Sequence, residues 1–386
     1  NDFGIFFVIL QTKKNSSPKR WDKVGKESRK NKIPQRIEGI HSVSPKRKKL
    51  GNYQEKTRTQ RIEEIHSFSL KTWEELRNLS TKKWEIVGKT NHNIKEKKEK
   101  MELIKNKTFG GERPLFGAHD ARLEDITITD GESGIKCCKN IECHNSKFYG
   151  KYPWWHVDGS LITDCYFAPE SRSAIWYSNN MVMKDCTIDG PKFFREMKNL
   201  ELENVNITDA DETFWKVDGL KIKNVKLHEG TYPFMFSKNI YVDGLESDSK
   251  YVFQYCQNVE IHNAKITTKD SFWECENVTV YDSELNGEYL AWHSKNIKLV
   301  RCHISGEQPL CYMDHVILED CTFDKECDRA FEDCSNIDAH IKGCITNIKN
   351  PISGRIEADK VGSITYTEFA KALQGACEII DKSEGK

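Results

Sequence analysis

Short segments with an apolar residue at every second position recur at a fixed interval along residues 121–366. Most of these segments follow an asparagine, and the first and third residues after it are apolar, which is the period of a β-strand. Successive marks lie 19 to 21 residues apart. The marks are Asn140, Gly159, Asn180, Asn199, Gly219, Asn239, Asn258, Asn277, Asn296, His315, Asn336 and Arg355. The pattern predicts about twelve coils of a strand-rich repeat.

The rest of each coil repeats as well. The fifth residue after the mark is usually Asp or Asn, which turns the chain, and two further apolar positions predict a second strand. A third apolar element shares one register at Trp154, Ile175, Phe194, Phe214, Phe234, Phe253, Phe272, Leu310 and Phe331. Three short strands per coil predict an all-β solenoid, the right-handed parallel β-helix. Leucine-rich repeats need longer coils with a helical segment, and left-handed hexapeptide helices need three matching hexads.

The two ends of the solenoid need caps, because open strand edges promote aggregation. Residues 101–120 are irregular and are predicted to form an N-terminal cap before the β-helix of residues 121–366. Residues 367–386 are predicted to form a capping helix and tail. Phe369, Leu373 and Ile380 fall at helical spacing there.

The first hundred residues differ from the rest in charge. They hold 26 Lys and Arg against 12 Asp and Glu, whereas the remainder holds 33 against 47. With so few aliphatic residues, residues 1–100 are predicted to be a disordered basic extension or an overlong gene start. A basic arm could contact nucleic acid, but no aromatic residues alternate with the basic ones, so no nucleic-acid partner is expected.

All 14 cysteines lie beyond residue 136, and no apolar run is long enough to span a membrane. Without a secretion signal, so many cysteines favour reduced thiols and a cytoplasmic location. Same-register pairs such as Cys165 with Cys186 fit core packing better than a metal site, so neither a metal nor a cofactor is expected.

Several stretches carry a family resemblance over residues 101 to about 365. They are residues 111–116 (GERPLF), 130–133 (DGES), 151–154 (KYPW), 174–177 (AIWY), 191–195 (PKFFR), 272–296 and 350–354 (NPISG). They resemble the bacterial family catalogued as domain of unknown function 3737. That resemblance implies a right-handed parallel β-helix of pectin-lyase-like architecture and brings no activity with it. Residues 1–100 fall outside it.

One face of the predicted helix is a candidate binding site, since each coil places a residue directly after the buried third-element position. The candidate ligand-binding residues are Trp155, His156, Trp176, Tyr177, Arg195, Trp215, Trp273, Glu274, Trp292 and His293. Tryptophan rings at these positions are expected to stack on sugar rings while neighbouring polar groups bond hydroxyls. The alternative is that loops or a second copy of the chain cover the face.

Three aspartates and a histidine near one corner of three consecutive coils form the candidate catalytic group. They are Asp189, Asp209, Asp211 and His228. Two carboxyl groups about 5 to 9.5 Å apart would suit glycoside cleavage, although acidic turns are commonly only solvated. The sequence therefore favours a non-enzymatic protein that binds a carbohydrate or similar hydroxyl-rich ligand. A glycan-cleaving hydrolase or lyase, and a structural scaffold, are the alternatives.

Overall fold

The computed structural model describes residues 101–384, and these fold into a parallel β-solenoid of about 15 turns. The predicted basic extension, residues 1–100, lies outside the described residues. The strands are β1 Glu102–Lys105, β2 Thr108–Phe109, β3 His119–Glu124, β4 Thr127–Ile128, β5 Lys139–His144, β6 Lys147–Phe148, β7 Asp158–Thr163, β8 Tyr166–Phe167, β9 Asn179–Lys184, β10 Thr187–Ile188, β11 Lys198–Ile207, β12 Asp218–Leu227, β13 Lys238–Ser247, β14 Gln257–His262, β15 Lys265–Thr267, β16 Glu276–Tyr281, β17 Glu284–Asn286, β18 Lys295–Val300, β19 His303–Ser305, β20 Asp314–Phe323, β21 Ser335–Lys349, β22 Gly354–Thr365 and β23 Cys377–Asp381.

The apolar positions of each coil point into one continuous core. In β11 the residues Leu200, Leu202, Val205 and Ile207 are all buried, and β12 repeats the same pattern one coil later. Parallel pairing then places Leu200 beside Leu220, so that like residues stack on like. This stacking explains why the interval between repeats predicts the fold, and the prediction of a parallel β-helix is confirmed.

The third element of the coil is less regular than predicted. It contains isolated parallel bridges, such as Trp155 to Trp176, and turns. Residues on either side of the outward side chain adopt left-handed backbone angles, as at Trp154 (φ 68°) and His156 (φ 53°). The inward aromatic rings of this element nevertheless stack from coil to coil, with centroids 4.1 Å apart at Phe234 and Phe253.

Asparagine side chains join the coils at the marks of the repeat. Asn258 donates its side-chain N–H to the Asn239 oxygen at 3.1 Å, and Asn277 and Asn296 continue the series at 3.1 and 2.9 Å. These residues have positive φ angles near 55–60°. Asn adopts that conformation more readily than most residues, and its amide both donates and accepts along the solenoid axis.

The ends differ from the prediction in detail. Residues 101–120 carry β1 and β2, which pair in register with β3 and β4, so this segment is a coil rather than an irregular cap. At the other end the predicted amphipathic helix is only a short 3₁₀ helix, Glu368–Leu373, in which Phe369 is fully exposed. The chain then returns as β23, which pairs with β22. The count of about twelve coils was therefore too low.

Candidate functional site: an aromatic face with two tryptophan blocks

A long aromatic face follows the third element of the coils. Its inner column consists of half-buried residues, namely Trp155, Trp176, Arg195, Trp215, Met235, Trp273 and Trp292. The next residue of each coil forms an outer stripe, namely His156, Tyr177, Glu196, Lys216, Phe236, Tyr255, Glu274, His293 and Tyr312. All ten predicted ligand-binding residues lie on this face, and the alternating left-handed backbone turns them outward.

The first tryptophan block consists of Trp155, Trp176, Arg195 and Trp215. The rings of Trp155 and Trp176 stack with centroids 5.4 Å apart and planes at 17°. The Arg195 guanidinium lies 4.5 Å from the Trp176 ring centroid and 4.9 Å from that of Trp215, so it fills the coil that lacks a tryptophan. Lys136 of the preceding coil lies 5.5 Å from the Trp155 centroid. The block is a continuous stack of rings and cations.

The two stacked indoles of the first block have their N–H groups satisfied inside the protein. Trp155 Nε1 donates to the Ser173 carbonyl at 2.9 Å, and Trp176 Nε1 donates to the Lys192 carbonyl at 2.7 Å. Each acceptor belongs to the following coil. Arg195 also pairs with Glu212 at 2.5 Å, and Lys192 reaches the same carboxylate at 3.0 Å.

The second tryptophan block consists of Trp273 and Trp292. Their rings stack in the same way, with centroids 5.0 Å apart and planes at 16°. Both Nε1 atoms are buried, however, and neither has a hydrogen-bond partner among residues 101–384. An unpaired buried donor costs about 1–3 kcal/mol, so the second block contains polar groups that the fold itself does not satisfy.

The stacking decides which part of each tryptophan can meet a ligand. Rings on successive coils lie with their planes against one another, as Trp155 against Trp176 and Trp273 against Trp292. These planes, on which sugar rings are expected to stack, are therefore occupied by neighbouring coils. A ligand lying along the solenoid meets the ring edges and the outer stripe.

The outer stripe forms a ridge of stacked side chains with polar tips. His156 stacks on Tyr177 at 5.0 Å, and His293 stacks on Tyr312 at 5.2 Å. Between these pairs, Lys216 lies 3.9 Å from Glu196. The tyrosines remain exposed, 37% for Tyr177 and 36% for Tyr312. The ridge therefore presents imidazole, phenol, carboxylate and ammonium groups one coil apart.

Asp270 is a functional candidate that sequence reasoning missed. It lies three residues before Trp273, is 3% exposed, and its Oδ1 has no hydrogen-bond partner among the described residues. Burial raises the pKa of Asp270 from 3.8 to about 6, while the nearby Lys269 ammonium acts in the opposite direction. The sequence signal was available, because acidic residues are seldom fully buried and this one occupies a position flanked by tyrosines in neighbouring coils.

The acidic corner is built from carboxylates that already have partners. Asp189 accepts hydrogen bonds from the Tyr166 hydroxyl at 2.7 Å and the Thr208 hydroxyl at 2.8 Å. The first of these bonds raises the pKa of Tyr166 to about 12. Asp211 accepts from the Thr231 hydroxyl at 2.8 Å. These bonds join one coil to the next.

The other residues of that corner also have partners within the protein. Asp209 Oδ1 accepts the backbone N–H of Asp211 at 3.1 Å, which is a local turn contact. His228 Nδ1 lies 3.1 Å from Asp248 Oδ2. Although burial acts in the opposite direction, the hydrogen bonds from His228 and the Glu229 N–H lower the pKa of Asp248. Asp189, Asp211 and His228 thus bond one coil to another, whereas Asp209 stabilises a turn within its own coil.

Most of the cysteines pack in the hydrophobic core. All fourteen are free, and all but Cys137 and Cys344 are buried. Cys143 and Cys165 on adjacent coils have their Sγ atoms 3.9 Å apart. Burial also raises the pKa of the Cys311 thiol to about 12. Within residues 101–384, no group of three or more His, Cys, Asp or Glu side chains is arranged to hold a metal ion.

The described residues contain no helix long and apolar enough to cross a membrane. Stacked parallel coils define a β-solenoid protein. The chain belongs to the family described as "Protein of unknown function (DUF3737)", whose model matches residues 102–380. This agrees with the resemblance seen in the sequence motifs. No curated protein matches the chain.

Two solved structures are similar to parts of the chain. One is the catalytic domain of an alpha-1,3-glucanase in complex with tetrasaccharides, with 9% identity, a TM-score of 0.22, and coverage of 73% of this chain and 63% of that one. The other is a mutant tailspike protein of E. coli bacteriophage HK620 in complex with a pentasaccharide, with 7% identity, a TM-score of 0.21, and coverage of 72% and 58%. The chain spans about three fifths of the length of each. Similarity at this level carries no information about a ligand for this chain.

Proposed function

We propose that this protein is a non-catalytic binding module that takes a carbohydrate or similar hydroxyl-rich ligand along the aromatic face. The observation that supports this proposal is the outer stripe, in which exposed rings stack into a ridge while their polar atoms stay accessible. Tyr177 over His156 and Tyr312 over His293 are such pairs. A ridge of this kind offers both apolar edges and hydrogen-bonding groups, as sugars require.

The hydrogen bonds of the acidic corner favour binding over catalysis. The carboxylates of Asp189 and Asp211 are engaged by hydroxyl groups of neighbouring coils, which is a structural role. The proposal therefore rests on the aromatic face alone.

A titration of the full chain tests the proposal. Isothermal titration with a panel of neutral, acidic and N-acetylated tetrasaccharides should show binding for at least one of them. The double variant Tyr177→Ala and Tyr312→Ala should weaken that binding at least tenfold, because each removes an exposed ring and a hydroxyl from the ridge.

Tyr241→Ala is the matched control. Tyr241 is 39% exposed and its ring lies 5.7 Å from that of His262 at a tilt of 40°, but it lies on the outer face of β13 and not on the aromatic face. Its removal should leave affinity unchanged. Absence of binding across the panel, or an equal loss in the control, would reject the proposal. Self-association of the wild type that Tyr177→Ala abolishes would assign the face to a second copy of the chain instead.

The proposal also places the protein in a reducing compartment, the cytoplasm. Twelve of its cysteines are buried as free thiols in the core, and no disulfide joins them. Cell fractionation tests this part, and recovery of the protein in an oxidising compartment would reject it.

A further inference from the structure

The second block of the aromatic face has two stacked indoles whose N–H groups the fold leaves unpaired. Three buried atoms there have no hydrogen-bond partner among the described residues, namely Trp273 Nε1, Trp292 Nε1 and Asp270 Oδ1. All three belong to two consecutive coils of the solenoid. Buried polar groups in proteins are nearly always bonded to protein or to an ordered molecule.

The first tryptophan block shows that an unpaired indole is not a property of the repeat. Trp155 and Trp176 occupy the same column and stack in the same way, yet both N–H groups reach a carbonyl of the following coil. In the second block the rings keep the stack without those bonds. The difference therefore concerns the polar edge of the indoles and not their packing.

We propose that the second block is the anchoring subsite of the aromatic face, where a neutral hydroxyl-bearing ligand accepts hydrogen bonds from Trp273 and Trp292 and donates one to Asp270. This inference rests on the proposed function, because it locates the ligand within the same face. Two donors and one acceptor on two consecutive coils suit the hydroxyls of a sugar, each of which can donate and accept.

The charges near each block select the class of ligand. At the second block Asp270 and Glu274 are carboxyl groups, and the nearby Lys269 is paired with Glu288 at 3.0 Å. At the first block Lys136 and Arg195 lie against tryptophan rings, and Lys192 and Arg195 share the Glu212 carboxylate. An acidic sugar would bring like charge to Asp270 and Glu274, which opposes binding. Neutral oligosaccharides are therefore the ligands expected at the second block.

The three atoms are buried, so side chains must move before a ligand can reach them. Glu274 and His293 of the outer stripe directly follow Trp273 and Trp292 in the chain, and both are exposed. Exposed side chains change rotamer on a fast timescale without disturbing the core. The stacked rings beneath them stay in place and provide a rigid floor.

Conservative variants of the full chain test the subsite. Trp273→Phe and Trp292→Phe keep a stacking ring but remove the N–H donor. Each should weaken binding of a neutral tetrasaccharide, cellotetraose or chitotetraose, about tenfold. Tyr241→Phe, which removes an exposed polar group on β13 outside the aromatic face, is the control and should leave affinity within twofold.

A second measurement locates the ligand without relying on affinity. With ¹⁵N-labelled tryptophan, the indole N–H signals of Trp273 and Trp292, assigned from the Phe variants, should shift on addition of the tetrasaccharide. Those of Trp155 and Trp176 should not. Tetragalacturonate should shift none of the four signals.

The outcomes separate the two proposals. Binding that shifts only the first-block signals, or that survives both second-block Phe variants, overturns the anchoring subsite and leaves the proposed function standing. Tight binding of tetragalacturonate at the second block overturns the ligand class. Absence of heat and of any shift with every oligosaccharide overturns both proposals, and the three buried atoms are then paired with trapped water only.

Discussion

The two tryptophan blocks are built from the same column of the same repeat, and they differ in whether their stacked indole N–H groups are hydrogen-bonded. In the first block Arg195 links two indole surfaces, and the Trp155 and Trp176 N–H groups are bonded within the chain. In the second block the indoles stack equally well, but their N–H groups are unpaired. A repeat can thus reproduce packing from coil to coil while the hydrogen bonding varies.

The difference in indole hydrogen bonding predicts that the first block mainly stabilises the fold and the second mainly binds a ligand. A stack whose indole N–H groups are bonded contributes to the free energy of unfolding and has no free indole donor for a ligand. A stack with unpaired indole N–H groups contributes less to stability, and those N–H groups remain available to a ligand. The first block is therefore expected to respond to mutation mainly in stability, and the second mainly in binding.

The largest expected effect is the loss of an indole from each block. Trp176→Ala removes the stack on Trp155, the contact with Arg195 and the bond to Lys192, and we expect the free energy of unfolding to fall by about 3–5 kcal/mol. Trp292→Ala should cost about 2 kcal/mol, because no hydrogen bond is lost. Urea denaturation followed by circular dichroism measures both, and equal losses would contradict the comparison.

The next effect concerns the carboxyl group of the second block. Because burial raises the pKa of Asp270 from 3.8 to about 6, the folded state favours the protonated form. Its contribution to stability is complete below about pH 4 and is lost as the pH rises through about 6. Asp270→Asn should therefore equal the wild type near pH 4 and exceed its stability above pH 7 by about 3 kcal/mol. Lys269 and Glu288, whose charges act on Asp270 in opposite directions, remain in both proteins.

A second aspartate provides a control of opposite sign. The folded state lowers the pKa of Asp248, so the contribution of this carboxylate is present near pH 7 and is lost as the pH falls through the folded-state pKa. Asp248→Asn should be less stable than the wild type near neutral pH and should approach it in acid. A stability difference for Asp270→Asn that stays constant between pH 4 and pH 8 would show that burial does not perturb its carboxyl group.

Much of the fold, but little of the site's chemistry, could be predicted from the sequence. The interval between asparagine marks predicts the coils, because parallel stacking places the same position of every coil in the same environment. The first coil was missed because β1 is largely exposed, and only Ile104 of its four residues packs against the core. Terminal coils carry a weaker apolar signal for this reason.

The chemistry of the face depends on geometry that the repeat does not encode. The sequence places Trp155 and Trp273 in the same column, and nothing in their spacing shows that one N–H meets a carbonyl while the other does not. The orientation of the rings follows from the coil spacing and the side-chain rotamers together. The hydrogen bonds of Asp189 likewise depend on Tyr166 and Thr208 of other coils.

The smallest expected effect is the change in stability on replacing tryptophan by phenylalanine. It tests directly whether the two blocks differ in the hydrogen bonding of their indoles. Phenylalanine in place of tryptophan removes the N–H and keeps a stacking ring, so the four variants isolate the hydrogen bond. Trp155→Phe and Trp176→Phe should each lower the free energy of unfolding by about 1 kcal/mol, since a carbonyl loses its donor. Trp273→Phe and Trp292→Phe remove an unpaired donor and should be neutral or slightly stabilising in urea denaturation. If all four variants lose the same stability, the second-block indoles are bonded within the protein after all, and the two blocks serve the same structural role.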